Sequence, residues 1–342
     1  MSARRALVTG AGGFIGHHLV SYLVAKGQWV RGADQKQPEY GSTNAHDFLI
    51  ADLRAEQNCL AAAEGVDDIY HLAADMGGIG FITSQHALIA RNNTLINLGM
   101  LEAARQASTK RFLYSSSACV YPHHLQTSPD VVPLREDDAW PAQPEEGYGL
   151  EKLFAEKLCQ YYAEDYGLSI RIVRFHNVYG PLGTYDGGRE KAPAAICRKV
   201  AAISNGEQIV IWGDGEQTRS FMYVDDCVEG IYRIMESGYD KPLNLGTDEL
   251  VTVNELAGIV ADAAGKTFTT LHDVSKPQGV RGRNSDNSRL RGVLGWEPTC
   301  SLRDGMAPTY RWISAQTEQQ AGGNQQATPL LATLGGSGRR FQ

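Results

Sequence analysis

The chain has 342 residues, 42% hydrophobic and 21% charged, the proportions of a globular protein long enough to build a core shared between two lobes. Acidic residues outnumber basic ones, 39 to 32, for a net charge of −7, which argues against a broad nucleic-acid surface. No stretch approaches the roughly 18 apolar residues of a membrane span, no signal region opens the chain, and the six cysteines lack any C-x-x-C pair. A cytoplasmic protein with neither a disulfide framework nor a metal site is expected.

In chain order, the apolar run at residues 6–9 precedes glycines, and 15–25 then carries apolar residues at helical spacing, a strand-loop-helix opening. Further strands are expected at 29–33, 47–50, 68–73, 111–115 and 170–174, separated mostly by helix-length segments that include 84–107 and 149–166. Such alternation reads as an α/β fold, a Rossmann-like doubly wound parallel sheet. After Tyr179-Gly180-Pro181 the pattern changes to glycine-rich loops, with helices at 192–202 and 253–264. These form a smaller, interleaved C-terminal substrate-binding lobe. The expected division is a cofactor domain over 1–176, with a returning segment at about 220–247 that holds a strand at 221–224 and a helix at 225–236. Residues 177–219 and 248–314 make the second lobe. The Gln-, Gly-, Ser- and Thr-rich stretch from 315 to 342 reads as a flexible tail.

Gly10, Gly13 and Gly16 stand at three-residue spacing where the first strand meets the first helix. Glycine allows the tight turn and close backbone approach, and the helix N-terminus beside Phe14 and Ile15 offers unpaired N–H groups to a pyrophosphate. Asp34, ending the second strand, suits the adenosine ribose hydroxyls and repels a 2′-phosphate, so the expected cofactor is NAD. Asp52 and Leu53 follow the third strand and either meet the adenine edge or only close a turn. Ala73 follows the fourth strand and completes the candidate cofactor set.

Tyr148 and Lys152 lie four residues apart, on one face of a helix, downstream of Ser115-Ser116-Ser117. A surface Tyr and Lys pair is the plain alternative. With the glycine loop, however, the set resembles the extended short-chain dehydrogenase/reductase family, also known as the NAD-dependent epimerase/dehydratases. That resemblance implies Tyr148 as acid/base, Lys152 on the nicotinamide ribose and Ser117 on the reacting oxygen. A free tyrosine titrates near about 10, so a neighbouring ammonium is what a tyrosine base requires.

Cys119 follows Ser117 by two residues; a buried structural cysteine is the ordinary reading, but the carboxyl end of a central strand faces the ligand crevice. The segments 73–82, 140–144, 187–193, 217–221 and 280–286 extend the likeness over about residues 5–313, and within the family they resemble the GDP-mannose 3,5-epimerases. The resemblance implies Cys119 and Lys191 as the acid/base pair, GDP-mannose as substrate and a homodimer. It also implies Gly77, Ala118, Asn177, Glu190 and Ala192 near the sugar, Lys199, Arg219 and Arg281 on the diphosphate, and Gln217 and Thr218 toward the nucleotide. A 4,6-dehydratase would carry an Asp-Glu pair where this chain has Ala118-Cys119. A 4-epimerase has no use for a second acid/base pair, and a cofactor-sensing protein without turnover has no use for the intact Ser117, Tyr148 and Lys152.

Overall fold

In the computed structural model, residues 4–77, 79–276 and 278–326 are described. The chain runs β1 (Arg5–Thr9), α1 (Phe14–Ala25), β2 (Trp29–Asp34), β3 (Asp47–Ile50), α2 (Glu56–Ala63), β4 (Asp68–His71), α3 (Ile79–Ile82), α4 (His86–Gln106) and β5 (Arg111–Ser117). It continues through α5 (Tyr148–Tyr166), β6 (Ile170–Phe175), β7 (Asn177–Tyr179), α6 (Ala192–Ala202), β8 (Gln208–Trp212), β9 (Thr218–Tyr223), α7 (Val224–Glu236) and β10 (Pro242–Leu245). Last come β11 (Leu250–Thr252), α8 (Val253–Ala264), β12 (Thr269–Asp273), β13 (Gly282–Arg283), α9 (Ser288–Leu294) and α10 (Leu302–Gln326).

Seven strands form one parallel sheet in the order β10-β6-β5-β4-β1-β2-β3, the expected doubly wound architecture. Leu7 and Tyr114 pack on one face while Val8 and Leu113 pack on the other, which is why the middles of these strands, Ala6–Val8 and Phe112–Tyr114, are continuous runs of large or apolar residues rather than alternating. Arg174 on β6 is fully buried, yet Nε and Nη2 reach both Glu156 oxygens at 2.8 and 2.7 Å, so the paired charge fixes α5 against the sheet.

The second lobe contains the sheet β11-β9-β13, with β7 also on β9, and a separate parallel pair β8-β12. Its core is closed by α6, α8 and α10, through Ile196, Leu256 and Met306 among others. α8 starts with a reciprocal cap, Thr252 Oγ1 accepting from Glu255 N–H and Glu255 accepting from Thr252 N–H, and ends at the left-handed Gly265.

The structure adds elements that the sequence expectation did not name, the strands β7, β8, β10, β11, β12 and β13 and the helices α2, α3, α9 and α10. β8 and β12 were not anticipated, because they are short, half-exposed strands on a two-stranded edge. The tail expected from residue 315 is still helix: α10 continues to Gln326, and the Gln320 amide donates to the Tyr185 hydroxyl at 2.7 Å. Residues 327–342 of that expected tail lie outside the described residues.

Candidate active site

A cleft of about 890 Å³ is lined by residues following β1, β2, β3 and β4, by Ser115 and Ser116 of β5 and by Tyr148 and Lys152 on one side and the 178–194 segment on the other; Ser117 and Cys119 are not in its lining. It lies where the strand order reverses between β1 and β4, the position at which open α/β sheets take ligands. Gly10 has φ +72°, and a Cβ there would press on the backbone of Leu72 and Ala73. A Cβ on Gly16 would run into the Gly10 carbonyl. Helix α1 starts at Gly13 without a side-chain cap, which leaves its first-turn N–H groups for an anion. Asp34 accepts from Gly12 N–H at 3.0 Å and from Lys36 N–H at 3.3 Å, so its carboxylate is held at the cleft edge. Phe14, Ile15, Leu53 and Ala73 line the same space. Asp52 closes its own turn: Arg54 grips both carboxylate oxygens and holds the group down at about 2.

The chemical end is assembled from two remote segments. β5 ends at Ser117, whose Oγ accepts from Cys119 N–H at 3.2 Å and so starts a single 3-10 turn over Ala118–Val120. α5 starts after Gly147, at φ +69°, and a Cβ on Gly149 would collide with the Cys119 carbonyl. Only glycine lets the two segments meet, and their meeting brings Tyr148 beside Cys119 in one buried cluster with Ile89. The Ser117 hydroxyl acts on both groups, lowering the Tyr148 phenol and the Cys119 thiol. Lys152 Nζ donates to the Ser115 carbonyl at 2.8 Å and stands 5.7 Å from the centre of the Tyr148 ring.

Burial pushes the Tyr148 phenol well up, with the charges of Cys119 and Glu151 adding and the Ser117 hydroxyl opposing. Burial lowers Lys152, and Glu151 is the largest opposing influence. Before a cofactor binds, the site therefore favours a neutral phenol.

A model of the family described as "NAD dependent epimerase/dehydratase family" matches residues 6–246. The chain belongs to this family. As a member of it, it takes NAD. The chain is 49% identical over 318 residues to GDP-mannose 3,5-epimerase 1 of Oryza sativa subsp. japonica, covering 92% of this chain and 83% of that one. It is 49% identical over 315 residues to GDP-mannose 3,5-epimerase of Arabidopsis thaliana, with the same coverage. Among solved structures it resembles UDP-glucuronic acid 4-epimerase from Bacillus cereus in complex with UDP-glucuronic acid and NAD. That likeness has a TM-score of 0.78 and 26% identity over 91% of this chain and 99% of that one.

In this NAD-dependent epimerase/dehydratase, Lys191 reaches the site from the second lobe as the residue just before α6. The residue is exposed overall and lines the cleft; burial lowers the pKa of its ammonium, and Cys119, Cys227 and Arg283 act on it. Arg283 on β13 was not singled out in the sequence. Its Nη1 stands 3.6 Å from Cys119 Sγ, its Nε donates to Gln126 at 2.6 Å, and it is ion-paired with Glu145. Burial raises the Cys119 thiol, Glu145 adds to that, and Arg283 is the first opposing influence. The signal available in sequence was the Arg281-Gly-Arg283 spacing, which offers two arginines without saying which one turns inward.

The remaining candidates divide. Gly77 lines the cleft, and Ala118 is buried beside it in the 3-10 turn. Ala192 opens α6 next to Lys191. Glu190 is turned back to Gly188 N–H and to Arg198, while the Asn177 amide donates to the Ser220 carbonyl at 3.1 Å. Lys199 Nζ donates to the Val210 carbonyl, Gln217 to the Trp212 carbonyl and Thr218 to the Pro129 carbonyl. Arg281 is paired with both oxygens of Asp214 at 2.8 Å. Arg219 is packed on the carbonyls of Thr218 and Val280, and burial, then the like charge of Arg283, pushes it down to about 9. None of these last five lines the main cleft.

Proposed function

We propose that the chain epimerises GDP-mannose at C3 and C5, giving GDP-L-galactose, and GDP-L-gulose where C5 alone inverts. What supports this reading is that two different ionisable groups from two lobes act on one another: Cys119, clustered with Tyr148, and the cleft-lining Lys191, whose ammonium feels the Cys119 charge. NAD, which the glycine loop, the α1 N-terminus and Asp34 would hold, would supply reversible hydride acceptance at C4. Tyr148 takes the C4 hydroxyl proton, Lys152 holds the ribose and steadies the phenolate, and Ser117 hydrogen-bonds the C4 oxygen.

A ketone at C4 acidifies the hydrogens at C3 and C5. Inversion needs a proton removed from one face and another delivered to the opposite face, so one base returning its own proton restores the starting sugar. Cys119, with Arg283 favouring its thiolate, removes the proton, and Lys191, its pKa lowered by burial, delivers the other. Gly77, Ala118, Asn177, Glu190 and Ala192 surround the sugar. Arg219, lowered by burial and then by the like charge of Arg283, and hydrogen-bonded among the described residues to the main-chain carbonyls of Thr218, Gln278 and Val280, has the electrostatics of a group that an anion would stabilise. It joins Lys199 and Arg281 on the diphosphate, with Gln217 and Thr218 beyond. In this reading residues 1–176 with 220–247 carry the cofactor, 177–219 with 248–314 carry the nucleotide sugar, and the protein works as a homodimer.

Incubation with GDP-mannose, mild acid release and sugar analysis test the reading. Galactose and gulose are expected; mannose alone overturns it, and a C4-inverted sugar points instead to a 4-epimerase. In deuterated water, Cys119→Ser should cut solvent exchange at C5 at least about tenfold, and parental exchange would remove Cys119 from the base role.

A further inference from the structure

A line of buried hydrogen bonds runs under the cleft from the glycine loop to the first turn of α5. Thr9 Oγ1 accepts the N–H groups of Leu72 and Ala73 at 3.1 and 3.2 Å, and stands 2.8 Å from His71 Nδ1. His71 Nε2 is 2.9 Å from Asn97 Oδ1, and Asn97 Nδ2 donates to Glu151 Oε1 at 2.6 Å. From the other side, Asn93 Oδ1 accepts Asp75 N–H at 2.6 Å while Asn93 Nδ2 donates to Glu151 Oε2 at 3.1 Å.

The two ends fix every proton in between. Main-chain N–H groups occupy both lone pairs of Thr9, so its hydrogen points to His71 Nδ1. The His71 proton is then on Nε2, which turns the Asn97 oxygen to His71 and its amide to Glu151. Asp75 N–H orients Asn93 in the same sense. Both Glu151 oxygens therefore face donors, and an acid O–H on either would meet an N–H. The matching form is the carboxylate, 4% exposed and adjacent in sequence to Lys152.

We propose that Glu151 is a positioning residue. Its carboxylate, clamped by Asn93 and Asn97, is the buried counter-charge of Lys152, and it ties the active-site turn of α5 to the loops after β1 and β4. This rests on the roles of Tyr148 and Lys152 given under the proposed function. The charges that act on Lys152 are those of Glu151, Glu156, Cys159 and Cys119; Lys152 in turn acts on His71 of β4, and its Nζ lies 4.8 Å from the centre of the Tyr114 ring. Those that act on Tyr148 are Cys119, Glu151 and Glu145, with Ser117, and Lys152 Nζ stands 5.7 Å from its ring centre. Burial raises Glu151, and Lys152, Asn93 and Asn97 oppose it.

The consequence is a balanced site. With Glu151 cancelling Lys152, the phenol keeps its proton until the positive nicotinamide adds its charge. Glu151→Gln removes the cancelling charge and sets an amide against a donor. The exchange variant Glu151→Gln/Asn93→Asp returns the charge across that hydrogen bond and restores it with reversed polarity, losing the Asn93 Nδ2 bond to the Asp75 carbonyl at 3.3 Å. The phenolate absorbance of Tyr148 is to be titrated in the NAD-bound protein, by difference against Tyr148→Phe.

Glu151→Gln should move the Tyr148 step about one pH unit lower, and the exchange variant should bring it at least halfway back. A step that stays in place in Glu151→Gln, no step in either protein, or an exchange variant that behaves as if uncharged would overturn the proposal. If Glu151→Gln does not fold, the exchange variant decides alone, since it must titrate near the parent. The titration needs no sugar, so a protein inert toward GDP-mannose loses the proposed function while the role of Glu151 is still decided.

Discussion

At Cys119 two opposed influences meet, burial raising the thiol and the Arg283 guanidinium favouring the thiolate. Arg283→Gln keeps a donor for the Gln126 and Glu145 region but removes the charge. The Cys119 pKa should rise by about one unit or more, so the pH profile for alkylation by iodoacetamide, followed on the Cys119 peptide by mass spectrometry, should move upward by that amount. An unmoved profile would mean that Arg283 contributes only packing. Tyr148 and Lys152 are visible in the sequence as a pair four residues apart on one helical face, and Cys119 as a thiol two residues past Ser117 whose role the family resemblance implies. Arg283 lies 164 residues after Cys119, and only the closure of β13 onto β9 brings it to the thiol. Glu151 was hidden for the opposite reason: adjacent to Lys152, it reads as an ordinary helix-surface acid until Asn93 and Asn97 are seen to cover it.

Among the elements, α4 and α5 pack together and leave Leu88, Leu95, Leu98, Leu150, Phe154 and Tyr161 exposed. The steps of three, four and seven residues put these side chains in stripes along the two helices, and a contiguous apolar face of this kind is what a second copy would cover. If the homodimer forms there, a four-helix contact of about 1,200–2,000 Å² is expected. Leu98→Glu combined with Phe154→Glu should then convert a dimer to a monomer in sedimentation at about micromolar concentration. A parent that sediments as a monomer, or a variant that stays dimeric, would place the partner elsewhere. The helices themselves were legible because apolar periodicity and boundary glycines such as Gly147 and Gly167 are local. The end of α10 was not: Gln- and Gly-rich sequence has weak helical preference, and its continuation is tied down by Gln320 on Tyr185, a contact across 135 positions.

For the molecule as a whole, the same buried polar lines that order the site make it sensitive to acid. Burial pushes His71 and His176 down to about 3 from the ordinary 6.5, so both are neutral in the folded protein where the unfolded chain binds protons. With the folded value depressed, their contribution to stability is complete above pH 6.5 and is lost as pH falls toward 3. Each histidine approaches a loss of roughly 1.4 kcal/mol per pH unit inside that window. His71 cannot accept a second proton without breaking the direction of the Thr9–His71–Asn97 line, and its ring is 1% exposed. The urea midpoint should therefore be level from pH 8 to about pH 7 and fall steeply below about pH 6. His71→Gln, which keeps a donor toward Asn97 but does not titrate, should start lower and fall with about half the histidine-dependent slope. Parallel curves for parent and variant would mean that the acid sensitivity comes from other groups and that the His71 line is not held neutral.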